Sequence, residues 1–548
     1  MFIDDSTYKR DGKTYRRVLL RNSYRVNGVV HHKTISNLSD CSDKEIAAIK
    51  LALKHKEDLK ILGNIKDDIQ TAQGLSVGAV LTLQQLSKRI GLTTALGNSR
   101  EAKLALWLIF ATVIAQGSRL SAVRLAQQHA ACDILGLDAF NEDDLYHAMD
   151  WSAKNQSRIE QSLFNAHYTT KVPFFYLYDV TSSYFEGTEN ELADYGYNRD
   201  GKKGKKQIVI GLMTDVEGWP IAVEVFTGNT SDMLTVPAQI KKVAERFGVK
   251  KVAFVGDKGM IKSTQIEELG EQGFHYITSI TKPQIVAMID KGQMQLDLFD
   301  EKLTEICIDD IRYVLRKNPV RTEEIKKSRN SKLANLNKFT EKQNLYLHEH
   351  PKAKLENALK KIKDKSAALR ISGWVEAEAK EGSIVLKINE NNLAEEALLD
   401  GCYVLKTDIA KKDITSEQVH KRYKGLAKVE TAFRTMKTTL LEMRAIYVRK
   451  SDRTKAHVFT VMLAYMLAHK LKEYWRDVEL TTEEAIAELT SICALKVKIK
   501  DQEIQQTIPK PRQRGLELLR KAEIILPDAL PCKNITVVTR KKLVSERK

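Results

Sequence analysis

The stretch from Val172 to Ile280 constrains this chain most, because its apolar pattern admits few folds. Phe174-Phe-Tyr-Leu-Tyr-Asp179 is a continuous apolar and aromatic run that ends in an acid. Lys206-Gln-Ile-Val-Ile-Gly-Leu-Met and Trp219-Pro-Ile-Ala-Val-Glu-Val-Phe are two further runs of strand length, with Asp215 to Gly218 turning the chain between them. A helical period fits Leu234 to Phe247. Lys251-Val-Ala-Phe-Val-Gly-Asp257 is then a fourth strand, again ending in an acid. Ser263 to Gln272 is a short helix and Phe274-His-Tyr-Ile-Thr-Ser-Ile a fifth strand. Three hairpin-connected strands followed by helix, strand, helix, strand predict an α/β layer built on a mixed sheet.

The flanks divide by period. A chain of 548 residues exceeds one hydrophobic core. We place boundaries at 1–75 (β-hairpins and a helix), 76–168 (helical), 169–284 (first part of the sheet), 285–398 (an inserted α/β piece), 399–475 (second part of the core) and 476–548 (helical, with a basic tail). Asp11-Gly12 and Asn27-Gly28 are hairpin turns between strands rich in arginine, with Tyr15 and Tyr24 interleaved. Such a sheet either lies on a phosphate backbone or is a solvated face. Leu81 to Gly97 has the layout of a helix-turn-helix, shared by any pair of packed helices. Leu104 to Ala115 is the longest near-apolar run, well short of the ~20 residues of a membrane span, and reads as a buried helix. Lys317 to Lys365 is a charged helical stretch interrupted by Pro351, and Ser372 to Glu376 and Ser383 to Ile388 are short strands. Thr481-Thr-Glu-Glu484 is a capping box.

Composition narrows the function classes. A net charge of +17 favours a polyanionic partner, because neutralising phosphates releases condensed counterions. Six cysteines without Cys-x-x-Cys spacing argue against a zinc site and a disulfide framework. With no signal-type N-terminus, they predict a reducing cytoplasm.

The most informative local stretch is Tyr423 to Lys437. Tyr423, Glu430 and Lys437 are seven residues apart, so a continuous helix would project all three from one face. Asp179 and Asp257 end apolar strands, where an acid is exposed at the edge of an α/β sheet. Two such acids and a helical glutamate have the composition of a two-metal site for in-line phosphoryl transfer. The set suits Mg²⁺, a hard cation that prefers carboxylates, better than zinc.

In order and setting these residues resemble the DDE transposases of bacterial insertion sequences, in the branch called insertion-sequence family four. That branch carries a Tyr-x2-Arg-x3-Glu-x6-Lys signature, which falls here on Tyr423, Leu426, Glu430 and Lys437, with leucine in place of the arginine. Tyr178-Asp-Val-Thr-Ser-Ser-Tyr-Phe, Gln207-Ile-Val-Ile-Gly-Leu, Phe226-Thr-Gly-Asn-Thr-Ser-Asp and Val255-Gly-Asp-Lys-Gly-Met resemble it too. The resemblance implies an RNase-H-like core interrupted by the insertion. It implies Asp179, Asp257 and Glu430 as ligands of two Mg²⁺ ions, for which Mn²⁺ substitutes. Tyr423 and Lys437 would contact transposon-end phosphates, and Arg434 or Lys424 would stand in for the missing arginine. It also implies double-stranded DNA as partner, a homodimer in the active complex, and a bacterial, nucleoid-associated setting with no membrane. Some relatives stack an aromatic of the insertion on a flipped base. Trp374, the lone tryptophan of this insertion, reads either that way or, more commonly for such a setting, as core of a small sheet. A non-catalytic DNA-binding derivative and a nuclease without strand transfer are the competing readings.

Overall fold

In the computed structural model the described residues are 1–57, 69–170, 172–187, 189–247, 249, 252–438, 440–443, 446–499, 502–530, 535 and 537–539. The basic tail beyond Thr539 and Cys532 lie outside them. The chain divides into two compact units, one of Met1–Leu75, Cys493–Lys510 and Pro527–Cys532, the other of Ser76–Ile492, Pro511–Leu526 and Lys533–Lys548.

The first unit opens with a three-stranded meander, β1 (Phe2–Arg10), β2 (Lys13–Val26) and β3 (Val29–Asn37). Asp11, Gly12, Asn27 and Gly28 all have positive φ, as the two central residues of each tight hairpin turn require. The two hairpins share β2, which pairs with β1 along its whole length and with β3 on its other side. Its arginines are partly committed: Arg16 bonds Asp5 at 2.8 Å and Asp43, and Arg21 bonds Asp4 at 2.6 Å. A fourth strand, β4 (Ile69–Ser76), follows.

The second unit is organised on eight strands. β5 (Phe175–Tyr184), β6 (Gln207–Thr214) and β7 (Pro220–Phe226) form an antiparallel meander, and β8 (Ala253–Val255) and β9 (His275–Ser279) run parallel to β5 on its other side. The order β7-β6-β5-β8-β9 is the mixed sheet expected from the residues. Every residue of β6 is buried, as a strand covered on both faces must be. Tyr176, Tyr178, Met213 and Phe254 pack with Val236, Ile240 and Leu269 from the helices over one face.

The sheet is wider than expected. β10 (Thr304–Ile308) and β11 (Ile311–Lys317) join it through β14 (Cys402–Thr407), which pairs antiparallel with β9. The part of the insertion with its own core is therefore shorter than 285–398. Helices Pro319–Glu349 and Leu355–Leu369 pack on the hairpin of β12 (Val375–Lys380) and β13 (Ser383–Ile388). Their shared core is Leu336, Ile362, Ile371, Trp374, Val375 and Ile384. Trp374 is 1% exposed, so its ring has no open face for a base; apolar burial takes it.

Between Ser76 and His167 the second unit is helical. The near-apolar run forms most of helix Arg100–Ile114, whose Trp107, Ile109 and Phe110 are buried. No single helix among the described residues is long and apolar enough to cross a membrane. The helix-turn-helix layout is present as Gly78–Arg89 and Leu92–Leu96 about Gly91, but the second helix has five residues, with Leu92, Ala95 and Leu96 buried. Only Thr93 and Thr94 of that helix are not buried. The region after 476, expected as helical, also supplies β15 (Cys493–Ile499), β16 (Gln502–Thr507) and β17 (Ala529–Leu530), which join β4 in a four-stranded sheet of the first unit.

Candidate active site

Asp179 and Asp257 come from adjacent parallel strands. β5 and β8 pair from Phe175↔Ala253 to Leu177↔Val255. Each acid lies two residues past that last pair, and the alternation of side chains along a strand makes this the same side. Asp179 is not at the end of its strand, as the apolar run suggested. β5 continues to Tyr184 against β6, and the parallel ladder alone ends beside the acid. Asp179 is half-buried and Asp257 exposed.

The third acid arrives on a helix. Helix Ser416–Lys424 is capped by Thr415 and Gln418, and helix Leu426–Lys437 follows directly. The break at Gly425 departs from the single helix expected. Gly425 N–H bonds both Lys421 and Arg422 carbonyls, and a Cβ there would lie 2.8 Å from the Arg422 carbonyl oxygen. Glycine permits that close approach. Tyr423 and Glu430 therefore belong to two helices rather than to one face.

Helix Leu426–Lys437 is fastened at both ends. Lys428 donates to Val216 O and Glu217 Oε2, both at 2.7 Å, in the turn between β6 and β7. Lys437 donates to Thr181 Oγ1 at 3.0 Å and Ser182 O at 2.6 Å on β5, and pairs with Asp200 at 2.6 Å. The two side chains of that pair are 10% and 2% exposed. Lys437 thus faces the sheet, not the solvent. Between these anchors Glu430 is exposed.

Asp179 senses the other two acids. Burial pushes the Asp179 carboxyl up to about 7, and the charges of Glu430 and Asp257 add to the rise, while the Val180 N–H at 2.8 Å and the Arg199 guanidinium oppose it. A buried carboxylate whose proton affinity is raised by neighbouring carboxylates is the electrostatic condition a cation relieves. As they stand, however, no group of three or more His, Cys, Asp or Glu side chains among the described residues is placed to hold a metal. On Asp257, Tyr423 donates its hydroxyl to Oδ1 at 3.1 Å and bonds Ser279 Oγ at 2.8 Å. Burial holds that phenol well above its ordinary pKa, with Asp257 adding, so Tyr423 is a donor at neutral pH.

The remaining signature residues separate. Leu426 is half-buried at the first position of its helix. Lys424 lies over the Tyr403 ring at 5.6 Å, and Arg422 over Phe175 at 5.0 Å. Arg434 is exposed and lines a cavity of about 650 Å³ with Lys428, Thr435, His469, Lys472 and Arg476. Two polar groups near Asp179 escaped the sequence reading: Arg199 bonds both oxygens of Asp232, at 2.5 and 2.7 Å, and Asp200 pairs with Lys437. Asp232 closes the Phe226–Asp232 motif, but nothing local in the sequence links it to Arg199.

Comparison with known proteins bears on this geometry. Residues 174–467 match the family model described as the transposase DDE domain, and residues 3–62 match that of the IS1634 family transposase N-terminal domain. No curated protein matches the chain. Among solved structures, a piggyBac transposase synaptic complex with hairpin DNA, determined by cryo-EM, aligns over 75% of this chain and 76% of its own, at 9% identity and a TM-score of 0.36. At that score the likeness carries no argument. The DDE model spans more than half of the 548 residues and contains all three acids, and the chain belongs to the DDE transposases, enzymes that cleave DNA strands and join them.

Proposed function

We propose that this transposase binds the terminal inverted repeats of its own insertion sequence, cuts the 3′ ends and joins them to target DNA, with Asp179, Asp257 and Glu430 as its catalytic carboxylates. The observation that supports this most is the placing of Asp179 and Asp257 two residues past the last pair of adjacent parallel strands; burial first, and the charges of Glu430 and Asp257 after it, raise the proton affinity of Asp179. Three carboxylates from two strands and one helix suit hard divalent cations, two Mg²⁺ ions with Mn²⁺ as substitute. When bound, these cations would activate the attacking hydroxyl and stabilise the leaving 3′ oxygen. The chain's own work is positional. Lys437 and Lys428 fix the height of Glu430 over the sheet. Tyr423 holds Asp257 until its carboxylate turns inward, and its hydroxyl is then released to a strand phosphate.

Within the signature of insertion-sequence family four, Leu426 removes one phosphate contact. Arg434, about two turns further along the same helix, and Lys424, at the end of the preceding helix, are both exposed and supply cationic groups. Lys437 is assigned a positioning role. We further propose a homodimer in the active complex, so that two ends are cut together, in the bacterial cytoplasm.

The test is cleavage of DNA carrying the inverted repeats that flank the coding region. Asp179→Asn, Asp257→Asn and Glu430→Gln are each expected to lower Mg²⁺-dependent cleavage by about a thousandfold or more while end binding persists. A variant that cuts at the wild-type rate removes that residue from the assignment. Cut ends that never appear joined to a target plasmid reduce the reading to a nuclease.

A further inference from the structure

The chain between β5 and β6 contains the run Tyr195-Gly-Tyr-Asn-Arg-Asp-Gly-Lys-Lys-Gly-Lys-Lys206, with five cationic side chains and one acid. The acid, Asp200, points inward to Lys437, which leaves the outer surface of the loop cationic. Lys202, Lys203 and Lys206 have no carboxylate partner among the described residues. Tyr195 and Tyr197 are 62% and 81% exposed. Rings this open contribute little burial to folding.

Each ring carries a cation. Arg199 lies over Tyr197 at 5.5 Å, Lys206 over Tyr195 at 5.8 Å, and Lys202 over Tyr184 at 5.7 Å. One face of Tyr197 is thereby occupied and the rest of the ring is left to solvent. The loop is tied to the catalytic strand. Arg199 N–H donates to Ser182 Oγ at 2.9 Å, Asp200 accepts from Tyr184 N–H at 3.1 Å, and Gln207 Nε2 donates to Tyr197 O at 3.1 Å. Gly196 lets the loop sit close: a Cβ there would lie 2.1 Å from Gly228 O, so only glycine lets the two tyrosines project from this anchored backbone. Arg199 joins the loop to the site, since its charge acts on Asp179 and its side chain holds Asp232.

Exposed aromatics alternating with cations are the pattern that holds single-stranded nucleic acid, where rings stack on bases and cations track phosphates. We propose that Tyr195–Lys206 grips an unpaired stretch of the DNA strand next to the scissile phosphate, with Tyr197 stacked on a base and Lys202 and Lys203 on flanking phosphates. This rests on Asp179 being a catalytic carboxylate. It adds that the strand beside the cut is held unpaired by a loop outside the Tyr423–Lys437 segment.

The experiment uses the full chain and fluorescence anisotropy on two probes, a blunt mixed-sequence duplex and the same duplex with a single-stranded extension of about ten nucleotides. Wild type is expected to prefer the extended probe. Tyr197→Ala should lose about tenfold of that preference, the scale of one base–aromatic stack, and Tyr197→Phe should keep it. Lys202→Ala with Lys203→Ala should weaken both probes and reduce the salt slope by about two. Equal binding of both probes by wild type, or an intact preference in Tyr197→Ala, overturns the proposal. Asp179→Asn separates the two readings. If it still cuts, the catalytic assignment fails whatever Tyr197 does. If it is inactive and Tyr197→Ala keeps the preference, the loop assignment alone fails.

Discussion

The two halves of helix Leu426–Lys437 present opposite environments on one short element. At its C-terminal end Lys437 is enclosed, its ammonium shared among Thr181, Ser182 and Asp200. In its middle, Glu430 and Arg434 stand in solvent one turn apart. All three are charged residues of a motif that in sequence reads as one functional set. The difference teaches that one motif can hold both scaffold and open surface. The enclosed end ties the helix to β5, and the middle is left open to solvent.

The strongest way to break this contrast is at Lys437. Lys437→Met leaves the Asp200 carboxylate buried without its ammonium, and removal of one partner of a buried pair costs about 3–5 kcal/mol. Urea or thermal unfolding should show that loss, and Asp200→Asn combined with Lys437→Met should recover much of it. Unchanged stability with lost DNA binding would reverse the assignment and return Lys437 to the phosphate-contacting group.

A second measurement sharpens the same contrast through pH. His457 lies beneath the chain that leaves this helix, with Nε2 3.2 Å from Met443 O. Burial pushes its imidazole down to about 4, and the Arg119 charge adds to the effect. The unfolded value is near 6.5, so the unfolded chain takes the proton first as pH falls. The contribution is complete above that value and is lost progressively toward pH 4, by roughly 3 kcal/mol in all. His457→Gln should flatten this part of the stability–pH profile; a profile as steep as that of wild type assigns the loss to another group.

The smallest effect on stability is expected at the open middle. Arg434→Ala should change stability by under about 0.5 kcal/mol. It should weaken DNA binding and reduce its salt slope by about one. A large drop in melting temperature would show that Arg434, too, belongs to the scaffold.

Much of the fold was legible because its signals are local. The strand runs, the Asp-Gly and Asn-Gly turns, the capping box at Thr481 and the buried helix from Arg100 all follow from residue type and period. The width of the sheet was not legible. β10 and β11 join through β14, some ninety residues later, and pairing partners at that distance leave no mark on local composition. β15 was likewise hidden, since its partner β4 lies more than four hundred residues earlier.

The site divides in the same way. The sequence by itself marked the candidates: Asp179 and Asp257 by residue type and strand-end pattern, Glu430 by its helical setting, and all three by their resemblance to the DDE set. Tertiary structure alone decided their states. Burial pushes up the affinity of Asp179 for a proton, Tyr423 engages Asp257 from a separate helix, and Asp200, 237 positions away in the sequence, pairs with the inward-facing Lys437. The physical reason is that identity and period are properties of a segment, whereas solvation and charge pairing depend on what the rest of the chain brings alongside it.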